Sequence, residues 1–446
     1  MRARIEEVFI RINILLSTNH MRLLNSTGSF AASGPGQNVL PGVIHLMRAV
    51  MTRCVSFKSL LSRRLRVARA GSLSLLLIVI CSCVLLTGCF GTSASPTGWS
   101  GPVAHNGSLY IGTMTGKVVA FDDIGADGNH YIRWSYPDDT TIPYLYSDSV
   151  VDNGSIYIGC YTGKVYVINA SRGYREWIYP AEGYLGAIVG SPAVADGTLY
   201  FGSSEKKLYA VNTTTRTQLS WSPFETDGKI WSTPVVYNRT VYVGSFDGML
   251  YAIDANSGAK LWEFTTEGAI VGTPIIYNDV LYFGSLDQKF YAVDVATGEL
   301  KNGFTPFKAD NWVWASAVAY NGSIIAASLS GTIYALDAES GASLWEEETG
   351  GKIRGTPALV NNRVVVGTDE GSSRGRVYCY DADTGEKLWQ YPAEDVAPMY
   401  SIHASIGSEG NMVYVHTTNQ KIYAFDVEQM GAEARYLWTI STGGDE

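Results

Sequence analysis

One unit recurs eight times along this chain, and it restricts the possible folds more than any other feature. Its cleanest copy is 231–264, WSTPVVYNRTVYVGSFDGMLYAIDANSGAKLWEF. A β-prone run ending in Gly244 is followed by a turn at Gly248. A second run ends in Asp254, and after a polar turn the chain leaves again through Trp262. The anchor of the Tyr-Ala-apolar-Asp run falls at 119, 166, 209, 251, 291, 334, 378 and 423, with spacings of 47, 43, 42, 40, 43, 44 and 45 residues. Ankyrin, tetratricopeptide and leucine-rich units are shorter and mostly contain helix. Four short strands in such a repeat match the blade of a β-propeller.

The four strands can be placed in each copy. Small-residue runs at 101–104, 147–151, 190–194, 232–236, 272–276, 315–318, 355–359 and 403–406 are expected to form the innermost strands, where eight blades crowd the axis. The second strand reads Leu109-Tyr110-Ile111-Gly112 in the first copy and Leu281-Tyr282-Phe283-Gly284 in the fifth. The outermost strand is expected to carry Trp134, Trp177, Trp221, Trp262, Trp345, Trp389 and Trp438. The fifth copy has Leu300-Lys301-Asn302-Gly303-Phe304 instead. The predicted fold is therefore all-β: an eight-bladed β-propeller of four-stranded antiparallel blades over 99–440, with a tail at 441–446. Little chain is left for a strand that would interlock the first and last blades. Composition agrees, with 28 Tyr, 47 Gly and only 17% charged residues.

The N-terminal part follows other rules. Arg63, Arg64, Arg66 and Arg69 precede an apolar run at 73–86, short for a membrane span but suited to a signal-peptide core. The run ends in Leu86-Thr87-Gly88-Cys89, which resembles a bacterial lipobox in which the Cys89 thiol receives lipid. The alternative is an uncleaved anchor ending in a chance cysteine. The expected organisation is a signal segment at 1–88 and a lipidated Cys89 with a flexible Gly/Ser/Thr/Pro tether over 89–98. Translation is expected to start at Met47 or Met51, which would leave 1–46 outside the protein. Residues 1–88 hold 11 of the 33 Lys and Arg and 2 of the 42 Asp and Glu, so the remainder carries 22 basic and 40 acidic residues, a net charge of −18. Such a surface repels phosphate backbones and argues against nucleic acid as a partner. After Cys89 only Cys160 and Cys379 remain, with no CxxC, Cys/His cluster or haem motif.

Most of the conspicuous residues have local explanations. In Asp254/Gly258, Asp294/Gly298, Asp337/Gly341 and Asp381/Gly385 the carboxylate is expected to cap a turn and the glycine to supply positive φ. Asn-Gly at 106, 153 and 321 reads as a hairpin turn rather than a glycosylation site. The repeated Trp reads as a packing anchor between blades rather than a sugar platform. The acidic insertion at 122–129 lacks EF-hand spacing for calcium. His105, His130, His403 and His416 show neither a catalytic order nor a metal-ligand spacing.

Gly244-Ser245, Gly248, Leu250-Tyr251-Ala252-Ile253-Asp254, Ser257-Gly258 and Leu261-Trp262 together resemble the PQQ-like, tryptophan-docking propeller repeat. The resemblance spans roughly 99–440. It implies one of two functions. Quinoprotein dehydrogenases share eight such blades and use PQQ with calcium and an Asp base. Many also carry adjacent cysteines, which are absent here after Cys89, and no base or calcium triad maps onto this chain. BamB-type outer-membrane assembly lipoproteins share the lipobox, the compact blades and the size. That resemblance implies a non-catalytic, monomeric scaffold, lipid-anchored at the cell envelope, with a protein or peptide partner and no cofactor. The alternatives are a PQQ-dependent envelope oxidoreductase and a sensor of cell-wall sugars or peptides.

Binding is expected where the connections between successive blades converge on the axis. These carry Tyr144, Tyr146, Tyr184, Trp231, Trp312, Trp314 and Tyr400, each near the start of an innermost strand. They either plug the channel mouth or form an aromatic docking face for a protein or peptide.

Overall fold

The computed structural model describes residues 98–122, 131–428 and 436–442. The signal segment, Cys89, most of the tether, residues 123–129 of the acidic insertion and the tail at 443–446 lie outside the described residues.

Among the described residues, thirty-two strands form eight sheets of four, each built from four consecutive strands in the order of the chain. The opening repeat is blade 4: Val235–Tyr237, Thr240–Gly244, Met249–Asp254 and Lys260–Thr265, all paired antiparallel. The second and third strands of each blade bury nearly every side chain. Thr240–Gly244 and Val280–Gly284, for example, are buried throughout. These strands have blades on both faces, so they read as apolar runs rather than as alternating ones. Neighbouring blades share each apolar layer. One layer joins Tyr242, Leu250 and Ala252 of blade 4 to Leu281, Phe283 and Tyr291 of blade 5.

The turns follow the expected chemistry. Asp254 Oδ1 accepts the N–H groups of Asn256 and Ser257 at 3.1 and 2.7 Å, and Gly258 has φ +71°. Trp221 of blade 3 lies over Gly258, where an added Cβ would come within 2.6 Å of the ring, and its Nε1 donates to Ala255 O at 3.1 Å. Trp134, Trp262 and Trp345 make the same contact with Gly173, Gly298 and Gly385 of the following blades. In blade 5 Phe304 takes the place of the Trp, against Gly341. The second-strand tyrosine reinforces the joint. Val295 O accepts both Trp262 Nε1 at 3.1 Å and the Tyr242 hydroxyl at 3.0 Å.

Two strand expectations are corrected. The innermost strands are only three residues long and begin later than expected, as in Val103–His105 and Ala193–Ala195. Most of each small-residue run is non-strand backbone that meets the next blade edge-on. A Cβ on Gly190 would sit 2.3 Å from Trp231 O, and one on Gly355 2.0 Å from Ala404 O. The outermost strands of blades 3 and 5 are Phe224–Glu225 and Phe307–Lys308, so Trp221 lies in the preceding loop rather than in a strand.

Among the described residues, blades 1 and 8 meet without an interlocking strand. Leu109, Ile111 and Phe121 of blade 1 pack against Tyr414, Ile422 and Trp438 of blade 8. Nearer the axis, seven blades end the second strand in Gly or Ala, against a branched side chain that enters the next blade. Gly244 with Ile270 and Gly284 with Val313 are examples. Blade 8 has His416 at that position, and the matching residue of blade 1 is Gly98. His416 is buried, and its Nδ1 lies 3.1 Å from Ser100 O. A carbonyl can only accept, so Nδ1 carries the proton.

Candidate axial mouth

The connection into each innermost strand builds one end of the axis. One aligned position of it is Gly101, Asp148, Ser191, Thr233, Thr273, Ser316, Thr356 or Ser405, a polar side chain in every blade but the first. These residues bond around the ring. Asp148 N–H donates to Ser191 Oγ at 2.9 Å, Ser191 N–H to Thr233 Oγ1 at 3.0 Å, and Thr273 N–H to Ser316 Oγ at 2.8 Å. Blade 1 has no side chain at its position, and Asp148 fills the gap. Its carboxylate accepts Gly101 N–H and the Ser405 hydroxyl, reaching blade 8. Burial raises the Asp148 pKa, and those two donors oppose the shift.

Two residues ahead of this collar stand Trp99, Tyr146, Trp231, Trp314, Arg354 and His403 in six of the blades. Tyr146 and Trp231 meet rings from the hairpins between second and third strands, and Trp99 meets rings of the neighbouring connections. Trp99 packs edge-on against Tyr146 at 4.7 Å and His403 at 5.3 Å. Tyr161 lies 5.5 Å from Tyr146 and 6.2 Å from Tyr144. Trp231 packs edge-on against Phe246 at 4.7 Å, with its Nε1 donating to Ser204 Oγ at 3.0 Å and Lys229 Nζ 5.9 Å from its ring. Burial, together with Tyr161 and Tyr144, raises the Tyr146 pKa.

Blades 7 and 8 carry Arg354 and His403 in place of Trp or Tyr. Asp369 Oδ2 lies 3.4 Å from both Arg354 Nη2 and His403 Nε2, and its Oδ1 accepts Ser401 Oγ at 3.1 Å. Burial would raise the Asp369 pKa, but Gly371 N–H, His403, Ser401 and Arg354 outweigh it and the carboxyl titrates low. Burial lowers the His403 pKa, against the pull of Asp369, so the ring is neutral at pH 7. Ser401, Asp369 and His403 are the residue types of a hydrolytic triad but not its connectivity. The serine donates to the aspartate and to Arg374 O rather than to the histidine.

The sequence-based candidates separate into groups. Tyr144 and Tyr146 come together through Tyr161. Trp231 lies on blade 4, and Trp312 and Trp314 lie on the connection into blade 6. Tyr184 is 72% exposed and stands over Lys164 on the rim, and Tyr400 is 50% exposed. The sequence reading missed Trp99, Arg354 and His403, although aligning the position two ahead of the collar would have found them. Tyr161, Phe246 and Asp369 sit in hairpins where the repeat carries no pattern. Among the described residues, no three His, Cys, Asp or Glu side chains gather closely enough to hold a metal ion.

Eight four-stranded blades, with Trp docked across the joint after blades 1, 3, 4 and 6 and Phe304 after blade 5, define a β-propeller of PQQ-like repeats. A family model described as outer membrane protein assembly factor BamB matches residues 224–302 and 305–434. Among solved structures the chain is similar to BamB from Moraxella catarrhalis, with a TM-score of 0.58, 17% identity, and coverage of 71% of this chain and 92% of that one. It is also similar to the computationally designed Ika8 protein, with a TM-score of 0.60, 16% identity, and coverage of 72% and 93%. At these identities the structural likeness speaks for the fold. No curated protein matches the sequence.

Proposed function

We infer that this chain is a non-catalytic scaffold of the cell envelope, lipid-anchored through Cys89, that docks a protein or peptide at the axial mouth. The carrying observation is the aromatic lining of that mouth, with Trp99, Tyr146, Trp231 and Trp314 at one structural position of four blades. Partly exposed aromatics in a ring are the composition of binding hot spots, and the blade architecture does not require them. Gly248 and Asp254 turns and docked tryptophans would hold the ring together equally well with Val at the mouth, as Val189 and Val271 show in blades 3 and 5.

A quinone-dependent oxidoreductase is the competing reading. Calcium beneath a quinone requires several oxygen ligands. The collar offers hydroxyls and the carboxylate of Asp148, already taken by Gly101 and Ser405, and Asp369 at the mouth is paired with Arg354, so these residues do not fit that group. The docking reading predicts that Trp231→Ala and Trp314→Ala, in folded protein, deplete crosslinked partners recovered from membranes. Unchanged partners would refute it, as would stoichiometric binding of PQQ with calcium that supports alcohol or sugar oxidation.

A further inference from the structure

The aromatic wall of the mouth is set among carboxylates. His403, Trp99, Tyr146, Tyr161 and Tyr144 follow one another around blades 8, 1 and 2, with successive ring centroids 5.3, 4.7, 5.5 and 6.2 Å apart. The connections into blades 2, 3 and 8, residues 137–149, 180–192 and 392–406, supply or adjoin this wall. They hold Asp138, Asp139, Asp148, Glu182, Glu394 and Asp395 but no Lys or Arg. Asp148 is engaged in the collar. The other five are exposed, and among the described residues none of them forms an ion pair. Lys117 and Lys164, beside the hairpins of blades 1 and 2, reach the backbone of these connections rather than their carboxylates, at Asp138 O (2.6 Å) and Pro180 O (2.9 Å). Across all the connections and hairpins at this end, acidic residues are about twice as many as basic ones.

The rim already holds one cation against a ring. Lys164 Nζ stands 4.9 Å from the centroid of Tyr184, in the connection into blade 3. Among the described residues no cation of the chain occupies the faces of Trp99, Tyr144, Tyr146 or Tyr161. Resting on the docking reading, we propose that the mouth selects a basic, extended peptide segment whose Arg and Lys side chains lie on the faces of this wall. A ring face attracts a cation through its quadrupole, and a guanidinium also stacks on it. The exposed carboxylates of the connections meet the remaining positive charges of the segment, and the net charge of −18 beyond residue 88 draws such a ligand in. The wall and the Trp231–Phe246 pair lie on different blades, so an occupant that uses both must carry cations at separate points, which an extended segment does and a single amine does not.

The test uses three synthetic probes, acetyl-Arg-Ser-Arg-Ser-Arg-amide and its counterparts with Gln or Glu in place of Arg, titrated against the protein while its tryptophan fluorescence is read. The arginine probe should bind at least about tenfold more tightly than either counterpart, with an advantage that shrinks as salt rises. Tyr146→Leu/Tyr161→Leu keeps apolar bulk but removes two ring faces, and should weaken the arginine probe at least about fivefold. Tyr146→Phe/Tyr161→Phe restores the faces without the hydroxyls and should recover most of that loss. Asp138→Asn/Asp139→Asn should weaken the arginine probe and flatten its salt dependence. Asp196→Asn, in a hairpin at the other end of the axis, should bind as the parent does. Equal or tighter binding of the glutamine or glutamate probe overturns the inference. So does arginine binding that survives the leucine substitutions, which marks attraction by the acidic surface at large. If the arginine probe fails while Trp231→Ala and Trp314→Ala still deplete crosslinked partners, the docking reading stands and only the basic preference falls. If those substitutions leave the partners unchanged as well, both fall.

Discussion

Acid should weaken the closing joint of the ring through His416. The imidazole is buried, and burial brings its pKa down from 6.5 to about 4, against the pull of the hydrogen bond to Ser100 O. A histidine whose folded pKa is depressed contributes fully above its ordinary value. That contribution is lost as pH falls from 6.5 toward 4. At ~1.4 kcal/mol per pH unit, the loss across this window is ~3 kcal/mol. Unfolding entropy of about 2.1 cal/mol/K per residue over roughly 345 residues converts this to ~4 °C in melting temperature. His416→Gln is the useful comparison, because the amide keeps an N–H for Ser100 O and cannot titrate. At neutral pH the variant should be less stable by ~1 kcal/mol, the scale of one hydrogen bond and some packing. By about pH 4 the order should reverse, since every other titrating group is common to both proteins. Calorimetric melts of the two proteins at both pH values measure the double difference. An unchanged gap between them would refute the reasoning, because it would mean that the imidazole at the joint is solvated or charges without cost.

Other positions give equally direct expectations. Burial raises the Cys160 pKa and pushes Cys379 up to about 12, so both should stay unreactive toward a thiol reagent near pH 8 until the fold is denatured. Rapid labelling of the native protein would contradict this. Trp262→Phe and Tyr242→Phe each leave Val295 O with one donor and should cost ~1 kcal/mol beyond packing. Together they orphan the carbonyl, so the double variant should exceed the sum by about another 1 kcal/mol in a mutant cycle. Gly258→Ala places a Cβ 2.6 Å from the Trp221 ring at φ +71°, and a urea melt should show a loss of more than ~1 kcal/mol. Asp148→Asn keeps an acceptor for Gly101 and should be milder than Asp148→Ala, which reopens the gap in the collar.

The repeat made most of the fold legible because each blade solves the same packing problem. Asp254, Gly258 and Trp262 are explained by their seven counterparts, and the structure assigns them the cap, the positive φ and the docked ring. The small-residue runs were less legible. Gly190 and Gly355 are small because the carbonyls of Trp231 and Ala404 in the next blade approach them, a constraint that spans two repeats and leaves no local pattern. The same limit applies at the mouth. Residue type alone marked Trp231 and Trp314. The Arg354, Asp369 and His403 cluster joins residues of different strand connections that only the packing of blade 7 beside blade 8 brings together.

Among the described residues, blades 8 and 1 meet through packed side chains and hydrogen bonds such as His416 to Ser100 O, so the chain ends need not fall at this joint. Thr442 N–H donates to Gln420 O at 2.8 Å, as Thr266 does to Gly248 O at 2.8 Å and Thr349 to Gly331 O at 2.9 Å. In blades 4 and 6 the chain then needs three residues to reach Ile270 or Ile353, and the corresponding residue of blade 1 is Gly98. A three-residue bridge from Thr442 to Gly98 would therefore make the backbone continuous. New termini opened at an exposed hairpin such as Asn278-Asp279 would leave every sheet, docked tryptophan and collar bond in place. Such circular permutants would move the chain ends to another blade or to the opposite end of the axis while the mouth stayed intact. The point from which the chain leaves the ring is thus separable from the mouth itself.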